Sequence, residues 1–227
     1  MVVLGIDTAT SRGSVALAGP DGIMGTLPLF ERGAHARDLL LQIEELLARV
    51  SMSPASLGGV AVTLGPGSFT GVRIGMATAK GLAFSLDIGL TGLSTLEALA
   101  RAALWEPPSS SRSLCAVMEA GRGELYAALF RREGDDLTRE TADRSYRPAE
   151  LVGTVPAGAC AAGDGSIALR RALSEVGREI EVIDPWPPLA GPLAVWARGA
   201  LAVGSGYLPG GPKPNYIRPS DSETVRR

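Results

Sequence analysis

The chain has 227 residues, 45% of them hydrophobic and 20% charged, enough for one large domain or two small ones. A formal net charge of -2 leaves no overall positive field to hold nucleic acid non-specifically. Among the basic residues only Lys80 and Lys213 are lysines, a skew that reads as coding bias and not as an RNA-binding signature. The two cysteines, Cys115 and Cys160, match no metal spacing and no disulfide framework. The single histidine, His35, cannot furnish a His-rich metal site and reads as a residue at the start of a helix or at an interface. No apolar stretch is long enough to span a membrane, and the opening residues lack a basic leader, so a soluble cytoplasmic protein is expected.

In chain order, Val2 to Asp7 is a short apolar run ending in an acid, the pattern of a buried strand. Ser14 to Ala18 and Ile23 to Phe30 follow across turn residues, which predicts an antiparallel three-strand meander. A helix is expected from Ala34 to Val50, with Ala36, Leu39, Leu40, Ile43, Leu46, Leu47 and Val50 on one face and Leu41 nearly opposite. Gly59 to Leu64 reads as a strand, and Gly65-Pro66-Gly67-Ser68-Phe69-Thr70-Gly71 turns it into a helix over Val72 to Leu86. Ile88 to Gly92 is a further strand, and Ser94 caps a helix running through Leu104. Glu106 to Ser113 is the best linker in the chain. Beyond it a hairpin joins Leu114–Glu119 to Glu124–Phe130, and Thr138 to Tyr146 adds a strand. Helices are expected near Pro148–Gly153, Ser166–Val176 and Leu189–Val203. The predicted domains are 1–106, 107–203 and a tail, 204–227.

Strand, acid, Gly-bearing turn and strand occur at Leu4 to Leu17 with Asp7 and recur at Cys115 to Leu129 with Glu119. Two halves that each begin this way have the layout of actin-like ATPases. Asp7 with Thr8 and Thr10 could hold a hydrated cation and phosphate oxygens, or could simply satisfy turn backbone groups. The loop around Gly67 and Ser68 could seat a phosphate on a helix N-terminus, or be a tight structural turn with Thr70 as N-cap. No Gly-Lys-Ser/Thr follows, so it is not a Walker A loop. Gly71, Gly75, Ala79 and Ala83 are spaced by four and form a small-residue stripe that lets another backbone approach closely.

Three segments together resemble the bacterial TsaB (YeaZ) family. They are Ile6-Asp7-Thr8-Ala9-Thr10, the Gly65 to Gly75 stretch including Val72-Arg73-Ile74, and Gly92-Leu93-Ser94-Thr95-Leu96. Met118 to Tyr126 is similar to the family's second hairpin, with Glu119 where many members carry Asp, and Pro214-Asn215-Tyr216-Ile217-Arg218 is similar to its C-terminal motif. The match is good over residues 1 to 130 and thin thereafter until the tail. The resemblance implies an α/β, actin-like (ASKHA) fold of two ribonuclease-H-like lobes with the second truncated. It implies a non-catalytic dimerisation subunit pairing with a homologous catalytic subunit, TsaD, which forms N6-threonylcarbamoyladenosine at position 37 of tRNAs reading ANN codons. An ATPase subunit, TsaE, completes the assembly, tRNA is met only through the complex, and ATP and the metal belong to the partner subunits. The helices carrying Leu41, Gly71, Arg73, Gly75, Met76, Ala79, Lys80 and Ala83 are the expected partner interface, open to a homodimer when the partner is absent. Asp7, Thr8, Thr10, Gly67, Ser68 and Glu119 would be vestigial phosphate loops. A small ATPase or kinase using Asp7 and Glu119 is the alternative; a metallopeptidase would need the histidine pair that the sequence lacks.

Overall fold

The computed structural model describes residues 1–29, 35–105, 111–134, 136–204 and 211–217, with side chains of the first helix described from position 38. Two compact units are present, one formed by Met1–Ala98 with Pro188–Tyr216 and the other built on Leu99–Pro187.

In the first unit the opening meander is β1 (Val2–Asp7), β2 (Ser14–Gly19) and β3 (Gly22–Pro28). Helix α1 (His35–Arg49) leads to β4 (Leu57–Thr63), α2 (Phe69–Leu86) and β5 (Gly89–Leu93), and the boundary between the units falls within α3 (Thr95–Ala103). The sheet runs β3-β2-β1-β4-β5, antiparallel on the meander side and parallel from β1 to β5. Period-2 alternation divides the strands between two cores. Leu4, Ile6, Val60 and Val62 face Leu39, Ile43, Leu46 and Leu47 of α1 and Val72, Met76 and Ala79 of α2. Val3, Ala18 and Ala61 face the opposite way, onto Leu193, Ala194, Ala197 and Leu201. Those four belong to the last helix.

The second unit opens on the hairpin β6 (Ser113–Gly121) and β7 (Glu124–Glu133), followed by β8 (Asp136–Arg139) and β9 (Arg144–Tyr146), both pairing with β7. Then come α4 (Pro148–Val152), β10 (Cys160–Ala162), α5 (Ser166–Glu175) and β11 (Glu181–Ile183). The order is β11-β10-β6-β7-β8, with β10 and β11 parallel to β6. Counted from each unit's own first strand, the first sheet reads third-second-first-fourth-fifth and the second reads third-second-first-fifth-sixth, its fourth strand, β9, pairing beside the path with β7; in both the second strand is antiparallel to the first. The repeat expected from the Asp7 and Glu119 hairpins is therefore a repeat of whole sheets, and the fold is the actin-like α/β class. Reduction of the second unit is visible in element length: α4 has 5 residues against 15 in α1, and β10 has 3 against 7 in β4.

The domain boundaries differ from those read in the sequence. Helix α6 (Ala190–Ala202) was expected in the second lobe but packs on the first unit's sheet. Gly5 permits this, because a Cβ there would overlap the Ala190 carbonyl. The tail divides too, since Pro212 to Tyr216 belongs to the first unit; residues 218–227, most of the linker at 106–113 and the side chain of His35 lie outside the described residues.

Candidate functional site

Asp7 ends β1 with its side chain fully buried. Its Oδ1 accepts from the Ala9 N–H at 3.0 Å and from Thr63 Oγ1 at 2.8 Å, while its Oδ2 accepts from Thr10 Oγ1. Burial raises its pKa above the ordinary value, partly offset by these donors. The carboxyl group is thus engaged by its own turn, through Ala9 and Thr10, and by Thr63 at the end of β4. A cation could reach it only by displacing those donors.

Thr8, beside it, is buried and donates through Oγ1 to the Gly71 carbonyl at 2.7 Å. The Gly65–Gly71 loop is fastened to the same turn, with the Ser68 N–H donating to the Ala9 carbonyl at 2.8 Å. Gly67 is required here, having φ near 150° and no room for a Cβ against the Ala9 carbonyl. Ser68, not Thr70, is the N-cap of α2: its Oγ accepts from the Gly71 N–H at 3.1 Å. Ser68, Gly71 and Val72 thus already spend N–H groups that an anion at the helix start would use. The two expected phosphate elements of this unit are brought together, but against each other.

Glu119, the counterpart of Asp7, is exposed near the end of β6, and its backbone N–H donates to Asp164 Oδ1 at 2.9 Å. Asp164 was not singled out in the sequence. The Gly163-Asp164-Gly165-Ser166 turn ahead of a helical pattern was the available signal. Among the described residues no group of three His, Cys, Asp or Glu side chains is placed to hold a metal ion.

The small-residue stripe of α2 requires a correction. Gly71, Gly75, Met76, Ala79 and Ala83 are all buried inside the first unit. A Cβ on Gly71 would overlap the Thr8 carbonyl, and one on Gly75 would overlap the Thr8 hydroxyl. At Gly71 and Gly75 the close approach that the stripe permits is to the turn after β1, and Met76, Ala79 and Ala83 are likewise buried inside the unit and not offered at its surface. Leu41, Arg73 and Lys80 of the expected set do lie on the surface.

Around them the two helices present a different face. On α2, Arg73, Ala77, Lys80 and Phe84 recur at helical spacing and are all exposed, Phe84 with 91% of its surface free. On α1, Leu41 is 60% and Leu40 50% exposed, so Leu40 leaves the buried face on which the helical wheel set it. Leu40 and Leu41 on α1 and Phe84 on α2 are thus exposed large apolar side chains, with Arg73 and Lys80 exposed on α2 as well.

The sequence model of the TsaD family, tRNA N6-adenosine threonylcarbamoyltransferase, matches residues 16–190. The chain belongs to the TsaD/TsaB (YeaZ) family. Its relatives include the Escherichia coli (strain K12) tRNA threonylcarbamoyladenosine biosynthesis protein TsaB, 37% identical over 67% of this chain and 64% of that protein. The Bacillus subtilis (strain 168) TsaB is 31% identical over 67% of this chain and 65% of its own length. The chain thus aligns with somewhat under two thirds of each of these relatives. A Pseudomonas aeruginosa crystal structure, described as an uncharacterized protein with similarity to peptidase YeaZ, superposes with a TM-score of 0.83 at 26% identity, over 96% of this chain and 99% of that one. A Clostridium difficile activator of 2-hydroxyisocaproyl-CoA dehydratase with bound ADPNP, at TM-score 0.51 and 12% identity, shares the fold alone.

Proposed function

We propose that this chain is a non-catalytic subunit in the formation of N6-threonylcarbamoyladenosine at position 37 of tRNAs reading ANN codons. It pairs with a TsaD-type catalytic subunit through the outer faces of α1 and α2. The observation that carries the reading is the coexistence of an exposed apolar surface on those helices with phosphate-type turns closed on themselves. Phe84 would contribute about 1.5–3 kcal/mol if fully buried by a partner, and Leu40 and Leu41, already partly covered, roughly half of that each. The engaged Asp7 carboxyl group and the closed Gly65–Gly71 loop support a chain that holds no nucleotide or metal itself. In this reading ATP and the metal belong to the TsaD-type subunit and a TsaE-type ATPase, and tRNA is met through the assembly, in the cytoplasm where tRNA is modified. A two-fold homodimer through the same surface forms when the partner is absent.

The experiment is light-scattering chromatography of the chain with its own organism's TsaD-type subunit. A stable heterodimer that Leu41→Asp abolishes is expected. Tight nucleotide binding by the isolated chain, lost in Asp7→Ala, would instead favour the small ATPase or kinase reading.

A further inference from the structure

Arg73 is exposed, yet its side chain is fixed. The guanidinium carbon lies 3.7 Å from the centroid of the Phe69 ring, one turn earlier on α2. Its Nε donates to Tyr216 Oη at 3.1 Å, and the Phe69 and Tyr216 rings are 5.1 Å apart. Tyr216 reaches this place on a short strap from the far end of the chain. The Asn215 N–H donates to the Leu64 carbonyl at 2.7 Å and Asn215 Nδ2 to the Gly65 carbonyl at 3.4 Å, fastening the strap to the loop that opens α2.

Neither contact neutralises the arginine. Among the described residues no carboxylate pairs with it. A surface arginine ordinarily keeps its rotamer freedom or takes an ion pair. Here a planar fork is held in one orientation by a ring and a neutral phenol, with no carboxylate among the described residues to compensate its charge. That is the donor geometry that receives a carboxylate through two parallel bonds, and little side-chain entropy remains to be lost on binding.

We infer that Arg73, set in place by Phe69 and Tyr216, is a preordered receptor for a carboxylate side chain of the partner subunit. The inference rests on the partner-binding function proposed above and names the chemistry of one contact in it. A protein carboxylate fits better than a nucleic-acid phosphate. Arg73 shares its stripe with Ala77 and the exposed ring of Phe84, and Lys80 is the only other cation on α2. A phosphate track needs a run of cations, whereas arginine and tyrosine beside apolar side chains make a protein interface. Tyr216 is a positioning residue, acting through Arg73.

The test is calorimetric titration of the TsaD-type subunit at two salt concentrations, using wild type, Arg73→Ala, Tyr216→Phe, their double variant and Leu41→Asp as reference. Arg73→Ala is expected to weaken binding by about tenfold or more and to flatten its salt dependence, as for loss of a charge-paired interface residue. Tyr216→Phe keeps the ring and loses the bond to Nε. It should weaken binding by a smaller factor, keep the salt dependence and add nothing to Arg73→Ala in the double variant. Thermal midpoints should stay at the wild-type value. Wild-type affinity in Arg73→Ala, or independent effects of the two single variants, would overturn the inference. So would unchanged subunit affinity with weakened tRNA binding by the complex, which would make the anion a phosphate. If Leu41→Asp breaks the pair and Arg73→Ala does not, only this inference fails. If wild type does not bind the TsaD-type subunit, the proposed function fails and this contact with it.

Discussion

At the scale of single residues, Gly71 and Gly81 stand on the same helix with opposite expectations. Replacing a helical glycine by alanine gains up to about 1 kcal/mol in helix propensity. At Gly81 nothing lies within 4 Å of an added Cβ, so Gly81→Ala should raise the thermal midpoint. At Gly71 the new Cβ would overlap the Thr8 carbonyl, and overpacking of this kind costs about 1–3 kcal/mol, more than the propensity returns. Gly71→Ala should therefore lower the midpoint in the same melting series. Asp7 gives a pH test. Burial favours its neutral form in the folded chain, while the unfolded carboxyl ionises from about 3.8 upward. Folded stability from this group is thus lost as pH rises above that value. Asp7→Asn removes the titration, so its midpoint should gain on wild type between pH 4 and pH 7. A constant difference across that range would show that Asp7 stays charged when folded.

At the scale of elements, α6 decides the domain division. Leu193 is fully buried on the sheet face opposite α1 and α2, and truncating such a side chain costs about 2–5 kcal/mol. Hydrogen exchange on Leu193→Ala should show loss of protection in β1 and β4, although α6 is more than a hundred residues distant from them in sequence. That long return was not legible in the sequence, because an apolar helix does not say which sheet it covers. The meander, α1, β4, α2 and the β6–β7 hairpin were legible, since each carries its own period and turn residues. The missed strands are Cys160–Ala162 and Glu181–Ile183, three residues each, too short to show a period and defined only by pairing beside β6. The candidate site divides the same way. Turn chemistry marked the Asp7–Thr10 turn and the Gly65–Gly71 loop as two separate elements, and that they fasten to each other was not legible. Spacing misassigned the small-residue stripe, because close approach to the chain's own turn and close approach to a partner leave the same pattern of glycine and alanine. Exposure separates them, and exposure belongs to tertiary structure.

At the scale of the whole molecule, two sheets that share the order third-second-first, the second unit with the shorter helices, accompany a first unit whose α1 and α2 expose Leu40, Leu41 and Phe84. The account's central claim is that this chain is needed for threonylcarbamoyladenosine formation without performing the chemistry. The direct measurement is mass-spectrometric quantitation of the modified nucleoside in tRNA incubated with the TsaD-type and TsaE-type subunits, ATP and the threonylcarbamoyl donor, with and without this chain. The account predicts modification only when the chain is present, its loss with Leu41→Asp, and none from the chain alone. Full modification without the chain, or modification by the chain alone that an Asp7→Ala variant abolishes, would contradict it.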